Sequence, residues 1–267
     1  MKISDLINTG SKILKERNIR THQLDSEIIL SHILKKDRES TLINENEITK
    51  NQFETFNKLL TRRLNNEPIA YIINRKEFRS NNLYVAKNSL IPRPETELLI
   101  DPIISIFKRR KLYFLDAGIG TGCIIFSVLN ELQYSKGVGI DICNKAISVA
   151  KINLKNFKFG QRVKLECRSI DQVFNKKFDL VVSNPPYVVS REINQLSDDI
   201  KKFEPQKALN GGNDGLDVIK KVIYKSRYIL KINGILALEI GRGQYLSVLS
   251  ILKKYKFKQI KIIKDYK

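Results

Sequence analysis

From Lys111 onward, short apolar runs alternate with amphipathic segments, and this alternation leaves few architectures open. "KLYFLDA", "KGVGIDI", "RVKLEC", "FDLVVS" and "GILALEI" read as strands, and "KFKQIKIIK" as a last one. Between them, "TGCIIFSVLNEL", "NKAISVAKINLKNF", "LDVIKKVIYKSRYIL" and "QYLSVLSILKKY" read as helices. Nearly continuous apolar strands separated by such helices imply an α/β fold, a mostly parallel sheet covered on both faces. Ligands of such sheets bind at the carboxyl ends of the strands, so the residues just after each strand carry most of the functional information.

The front of the chain has a different period. Ile3, Leu6, Ile7, Ile13 and Leu14, then Leu24, Ile28, Ile29 and Ile33, then Ile48, Phe53, Phe56, Leu59, Leu60 and Leu64 recur at helical spacing, with Asn46 expected to cap the third helix. This predicts a small helical bundle over residues 1–70. Residues 71–91 contain β-prone pieces on either side of Ser80, Asn81 and Asn82 and are expected to form a hairpin linker. In "LIPRPETELLIDPIISIFKRR", Pro94 is placed to open a helix, with Glu95 and Glu97 favouring its first turn, and Pro102 to divide it. Residues 92–267 are then the catalytic domain.

Composition narrows the function classes. Three scattered cysteines, Cys123, Cys143 and Cys167, and two histidines, His22 and His32, form neither a disulfide framework nor a zinc signature, and no metal site is expected. The cysteines are expected to fill small apolar spaces. Any chemistry must proceed without histidine near the sheet. No apolar run approaches the length of a membrane span, and "MKISDLINTG" lacks the layout of a secretory signal, which places the protein in the cytoplasm with no membrane association. Lys and Arg number 48 against 28 acidic residues, a net charge of +20. Such a charge suits indirect association with the ribosome or RNA, although a biased, dispersed lysine content accounts for it equally well.

At the end of the first strand Asp116 precedes Gly118, Ile119, Gly120, Thr121 and Gly122. Glycines at alternate positions let the backbone turn tightly and approach a ligand before the next helix. Cys123 stands where a dinucleotide fingerprint has its third glycine, so the pattern favours a nucleoside over a pyrophosphate. Asp141, at the tip of the next strand, has the spacing of a carboxylate that accepts from ribose hydroxyls. Asp116 either contacts the same ligand or fixes the turn.

After the fourth strand comes "NPPY". Neither Pro185 nor Pro186 donates a backbone hydrogen bond, and both have fixed φ, so the loop is stiff and the Pro185 carbonyl is free to accept. The Asn184 side-chain carbonyl and the Pro185 main-chain carbonyl together suit a substrate –NH2, and Tyr187 supplies a flat wall for a planar amide or base. An amide nitrogen is a feeble nucleophile and needs an electrophile as reactive as a sulfonium methyl. Paired acceptors stabilise positive charge building on that nitrogen, which is catalysis by position and preorganised dipoles.

The motifs "TRRLNNEPIAYI", "LIPRPETELL", "LDAGIGTG", "GIDI", "FDLVVSNPPYV", "FEPQKAL", "GGNDGLDVI" and "NGILALEIG" together resemble the HemK/PrmC family of protein-(glutamine-N5) methyltransferases over nearly the whole chain. "NPPY" alone is shared with methyltransferases of DNA adenine and ribosomal guanine; "IPRPETE" after a helical front domain discriminates. The resemblance implies the class I, Rossmann-like methyltransferase fold, S-adenosylmethionine as cofactor, and the glutamine of the Gly-Gly-Gln motif in peptide-chain release factors as substrate. It puts Gly118, Ile119, Gly120, Thr121 and Gly122 against the methionine part, Asp141 on the ribose, and Asn184, Pro185, Pro186 and Tyr187 around the glutamine amide. The helical bundle would recognise the release factor. Arg93 and Glu95 would support the pocket or the helix entry. Relatives carry an acidic residue after the third strand; here Ser169 or a backbone N–H would meet the adenine. The family sheet ends in a hairpin whose final strand is missing after "KDYK", so "ILALEI" and "KQIKII" are expected to be partly unpaired, at a cost in stability. A monomer is expected. An exocyclic-amine methyltransferase of RNA or DNA and a non-catalytic protein retaining the fold are the alternatives; retention of Gly120, Asp141 and Asn184 opposes the second.

Overall fold

The structure, a computed structural model, describes residues 1–43, 46–174 and 177–265. It divides into two compact units, residues 1–75 with 198–203, and residues 76–197 with 204–267.

The first unit contains α1 (Ile3–Glu16), α2 (His22–Leu34), α3 (Arg38–Leu42), α4 (Lys50–Leu64) and α5 (Ile69–Ile72). Ile3, Leu6, Ile7, Leu14, Ile29, Leu30, Phe56 and Leu60 form its core, as their spacing requires, while Leu24 and Phe53 from the same stripes are exposed. The cap of α4 is Thr49, not Asn46: its hydroxyl accepts from the Gln52 N–H and the Gln52 side chain accepts from the Thr49 N–H. That reciprocal pair satisfies two orphan donors at once, which Asn46, three residues upstream, has no geometry to do. "TRRLNNEPIAYI" closes the unit. Arg62 makes a two-pronged ion pair with buried Glu67 (2.9 and 2.8 Å), and Arg63 bonds Asp25 at 2.6 Å and the Glu67 carbonyl at 3.2 Å.

The second unit begins with the hairpin β1 (Arg75–Phe78) and β2 (Asn81–Tyr84). Its turn is Arg79–Ser80, both at positive φ (46° and 58°), so it lies one residue earlier than the polar run Ser80–Asn82 indicated. Two residues at positive φ twist in the sense that flanking strands need. "PETELL" then forms a 3-10 turn, Pro94–Leu99, which passes into α6 (Ile100–Phe107) with Pro102 in the first α-turn, where its missing N–H costs least. The rest follows as β3 (Tyr113–Ala117), α7 (Cys123–Glu131), β4 (Lys136–Asp141), α8 (Asn144–Asn156), β5 (Val163–Cys167), β6 (Phe178–Ser183), α9 (Asp198–Phe203, counted with the first unit), α10 (Asp217–Ile229), β7 (Leu230–Leu238) and α11 (Tyr245–Lys254).

The sheet order is β5-β4-β3-β6-β7, every pair parallel. Phe114, Leu180 and Val182 pack with Ile100, Ile103, Ile125 and Ile147 on one face; Leu115, Val138, Ile140 and Val181 pack with Val222 and Ile229 on the other. The chain moves out from β3 through β4 to β5 and returns beyond β3 with β6, so the direction of winding reverses between β3 and β6. The predicted strand over 256–264 does not form: residues 257–265 have no strand assignment, and β7 is the last strand of the sheet among the described residues. Alternating Lys and Ile supplies the pattern of a strand, but a strand exists only where its N–H and C=O groups meet a partner. Cys123 and Cys143 are half-buried, whereas Cys167 is exposed and fills nothing.

Gly10 on α1 has no room for a side chain: a Cβ there would lie 2.6 Å from the Phe56 ring and 2.7 Å from Ser26 Oγ. Alanine would gain about 1 kcal/mol of helix propensity but lose roughly 1–3 kcal/mol by overpacking a fully buried ring. Gly10→Ala is therefore expected to lower the urea midpoint, with a net loss of up to about 2 kcal/mol; a higher midpoint would contradict the packing of α1.

Candidate functional site

The parallel register brings four strand ends level. Ala117 pairs with Ile140, Asp116 with Val182, and Ser183 with Leu238. The residues that emerge next, Gly118, Asp141, Asn184 and Glu239, therefore stand along one edge of the sheet, at the point where winding reverses. Open sheets of this kind bind ligands in that crevice.

The glycine turn is fastened to β4. The Ile140 carbonyl accepts from both Gly118 N and Ile119 N at 2.9 Å, and Asp141 Oδ2 accepts from Gly120 N at 3.1 Å. Gly118, Gly120 and Gly122 all have positive φ (79°, 54° and 84°). They differ in what surrounds them. A Cβ on Gly122 would enter the Phe126 ring, so packing demands that glycine; one on Gly120 would meet nothing within 4 Å, and one on Gly118 only the Asn184 carbonyl at 4.0 Å. An open glycine backbone beside a helix start lets a ligand come close. Ile119 sends its side chain into the core, leaving its backbone at the turn. Thr121 is buried, and its carbonyl accepts from Asn153 Nδ2 at 2.9 Å. Asn153, wholly buried on α8, also exchanges two hydrogen bonds with Tyr84, tying β2 to the turn. Its only sequence signal was an asparagine on the apolar face of "AKINLKNF".

Two carboxylates flank this turn. Asp141 spends one oxygen on Gly120 and the other on Cys143 N (2.8 Å), so it holds both the turn and the residue that leads into α8; a carboxylate has capacity for further donors. Asp116 is 1% exposed, and its Oδ2 accepts from Ile125 N at 3.1 Å, while Oδ1 has no protein partner among the described residues. Burial pushes its carboxyl up to about 7, against the pull of the Ile125 N–H and with a further push from Asp141. A buried carboxyl oxygen without a protein partner beside an open glycine turn fits a ligand with a polar group, accepting from it when ionised and donating to it when protonated. Ser169, beyond β5, caps the turn 170–172: its Oγ accepts from Asp171 N and donates to Asp171 Oδ2.

On the other side of the crevice, the loop after β6 is held from several directions. Ser183 Oγ donates to the Ala117 carbonyl at 2.6 Å, Val188 N donates to the Leu209 carbonyl at 2.9 Å, and Gly211 N donates to the Val188 carbonyl at 2.8 Å. Gln244 Nε2 donates to the Tyr187 carbonyl at 3.0 Å, and Gly215 lies so close to that carbonyl that a Cβ would collide with it. Pro185 is buried and Pro186 half-buried. Asn184 Nδ2 donates to Thr96 Oγ1 (3.0 Å), Thr96 donates to Glu239 Oε2 (2.7 Å), and Tyr187 OH donates to Glu239 Oε1 (3.3 Å). Burial and the Glu239 charge push the Tyr187 hydroxyl up to about 12, so it keeps its proton. Arg93 bonds buried Glu204 at 2.6 Å, which also receives Ile91 N; this pair anchors the segment that delivers Thr96. Sequence reasoning quoted "RPETE" and "ILALEIG" without assigning Thr96 or Glu239 any role.

A parallel sheet with this strand order, an open glycine turn between two carboxylates and an Asn-Pro-Pro-Tyr loop facing it define a class I S-adenosylmethionine-dependent methyltransferase. Residues 5–73 match the family model PrmC N-terminal domain, and residues 108–257 match Methyltransferase domain. The chain is 37% identical over 276 residues to a release factor glutamine methyltransferase of Clostridium acetobutylicum, covering 100% of this chain and 95% of the relative. It is 35% identical to that of Clostridium botulinum (99% and 95% covered) and 36% identical to that of Buchnera aphidicola subsp. Schizaphis graminum (95% and 92% covered). The chain belongs to the release factor glutamine methyltransferase family. No helix among the described residues is long and apolar enough to cross a membrane.

The raised carboxyl of Asp116 has a consequence for stability without added cofactor. Its folded value, about 7, exceeds the ordinary 3.8, so the native state binds the proton more tightly. Stability from this group is complete below the unfolded value and is lost as pH rises from there to about 7, with no further loss above. Asp116→Asn is neutral throughout, so the stability of the natural protein relative to this variant is expected to decline over that window in urea titrations. A difference independent of pH would contradict a buried, protonated Asp116.

Proposed function

We propose that this chain transfers the methyl group of S-adenosylmethionine to the side-chain amide nitrogen of a release-factor glutamine, the one in the Gly-Gly-Gln motif. The observation that carries this reading is Asn184, one residue beyond β6 and beside the glycine turn, with its amide nitrogen turned inward to Thr96. Its Oδ1 is thereby left to accept from a substrate.

In this reading Gly118, Gly120, Thr121 and Gly122 receive the methionine part of the cofactor, Asp116 offers its unpaired oxygen, and Asp141 takes the ribose. The adenine edge meets Ser169 or a backbone N–H after β5. S-adenosylmethionine supplies the electrophilic methyl; everything else falls to this chain. Asn184 Oδ1 and the Pro185 carbonyl each accept one N–H of the glutamine amide, which points the nitrogen lone pair out of the plane they define. Tyr187 packs on the planar amide, with Pro186 fixing the loop beneath. As the N–C bond forms, the S–CH3 bond would break and its electron pair return to sulfur, so that the cofactor would depart as the neutral thioether S-adenosylhomocysteine; positive charge would grow on nitrogen, where both acceptors stabilise it, and one N–H proton would then leave to solvent to give the neutral methylamide. Preorganised dipoles of this kind cost no reorganisation during the reaction.

Residues 1–70 serve as the recognition domain for the release factor, 71–91 as the linker and 92–267 as the catalytic domain. The net charge of +20 supports an indirect association with the ribosome or RNA. We place the protein in the cytoplasm as a monomer.

Isotope-labelled S-adenosylmethionine mixed with unmodified release factor or with total RNA tests the assignment. Label on the Gly-Gly-Gln glutamine is expected; label confined to RNA would overturn it. Asn184→Ala is expected to lower turnover by about 100-fold or more while cofactor affinity changes by less than about threefold, and undiminished turnover removes Asn184 from the reaction.

A further inference from the structure

Thr96 is 1% exposed and lies between two groups that the fold brings from distant places: Glu239, 143 residues along the chain, and Asn184, 88 residues along it. A hydroxyl owns one proton, and an ionised carboxylate only accepts. At 2.7 Å the Thr96 proton is committed to Glu239 Oε2. The Thr96 oxygen then has only lone pairs to offer, so whatever faces it must be a donor. An asparagine amide turned one way presents NH2 there and turned the other way presents a second acceptor, which lone-pair repulsion excludes. The carboxylate thus dictates which end of Asn184 points inward, through the Thr96 hydroxyl and through its own attraction for the Asn184 NH2. Tyr187 gives its proton to the other oxygen of the same carboxylate, which fixes the ring alongside.

We propose that Glu239 and Thr96 are positioning residues that lock the Asn184 amide with its carbonyl outward, so that the substrate nitrogen meets an acceptor and not a competing NH2. This rests on the reading that Asn184 receives the glutamine N–H. It also specifies a protonation state for the active form. With a proton on Glu239, the carboxyl donates to Thr96, the Thr96 hydroxyl is freed to donate to Asn184, and the amide is accommodated either way round. The charged and titratable groups that act on Glu239 are Glu95 from the 3-10 turn, Tyr187 from the loop and Cys123 from the start of α7; Arg93 acts through Tyr187. Burial, with a further push from Glu95, holds the Glu239 carboxyl above the usual glutamate range, while hydrogen bonds from Thr96, Tyr187 and Asn184 oppose the rise. The lock is therefore present at high pH and lost as pH falls through a value above that of an ordinary glutamate.

The test measures kcat and KM with release factor, and cofactor affinity, for Thr96→Ser, Thr96→Val and Glu239→Gln across about pH 5 to 9. Thr96→Ser keeps the hydroxyl and is expected to retain kcat within about threefold, whereas Thr96→Val is expected to lose about 10- to 100-fold in kcat with cofactor affinity nearly unchanged. The natural enzyme and Thr96→Ser are expected to show an acid limb in kcat, absent from a slower Glu239→Gln. Equal kcat for the serine and valine variants would overturn the proposal. So would an acid limb that persists in Glu239→Gln, a readout that stands even where the valine variant folds poorly. Should Asn184→Ala keep full turnover, the underlying reading fails and this inference with it. Should Asn184→Ala be inactive while Thr96→Val remains fully active, the lock alone fails.

Discussion

The in-register pairing of β6 with β3 on one side and β7 on the other is the constraint from which the site follows. Parallel neighbours end at the same level, so Gly118, Asn184 and Glu239 leave the sheet side by side although the chain between them is long. Nothing local in the sequence holds those residues together. The sheet interior does, through Phe114, Leu115, Leu180, Val181 and Val182, each fully buried. Burying one such side chain is worth roughly 1.5–3 kcal/mol, comparable to a hydrogen bond to a charged group, and these five act together, so the core sets the geometry and the rim groups respond to it.

Two kinds of rim then form. On the nucleoside side, the Gly118, Ile119 and Gly120 N–H groups are claimed by the Ile140 carbonyl and Asp141, Asp141 keeps lone pairs to spare, and Asp116 Oδ1 has no partner among the described residues. On the substrate side, a run of donors converges on one carboxylate, Glu239, and leaves acceptors pointing away from it. The same counting of protons and lone pairs thus makes both halves of the crevice ready for groups that donate. A cofactor with an amino group and ribose hydroxyls, and a substrate with an amide NH2, are such groups.

Periodicity made the sheet and most of its helices legible, because apolar alternation reports burial directly. It failed where pairing depends on something outside the segment. Residues 256–264 carry a strand pattern and form no strand, and Asn46 looked like a cap while the reciprocal bonds of Thr49 and Gln52 decided the start of α4. The motif residues Asp116, Gly118, Gly120, Asp141 and Asn184 could be named because each lies within three residues of the carboxyl end of a strand. Thr96 and Glu239 could not, since their importance lies in meeting each other and Asn184 across the fold. Asn153 was hidden for the same reason: one buried amide joins a hairpin, a helix and the glycine turn.

The most direct measurement is a crystal structure of the protein with S-adenosylhomocysteine and a release-factor domain bearing the Gly-Gly-Gln loop. The account predicts the glutamine Nε2 within hydrogen-bonding distance of both Asn184 Oδ1 and the Pro185 carbonyl, with Asn184 Nδ2 still on Thr96. A glutamine nitrogen bound elsewhere, or an Asn184 carbonyl turned inward, would contradict it.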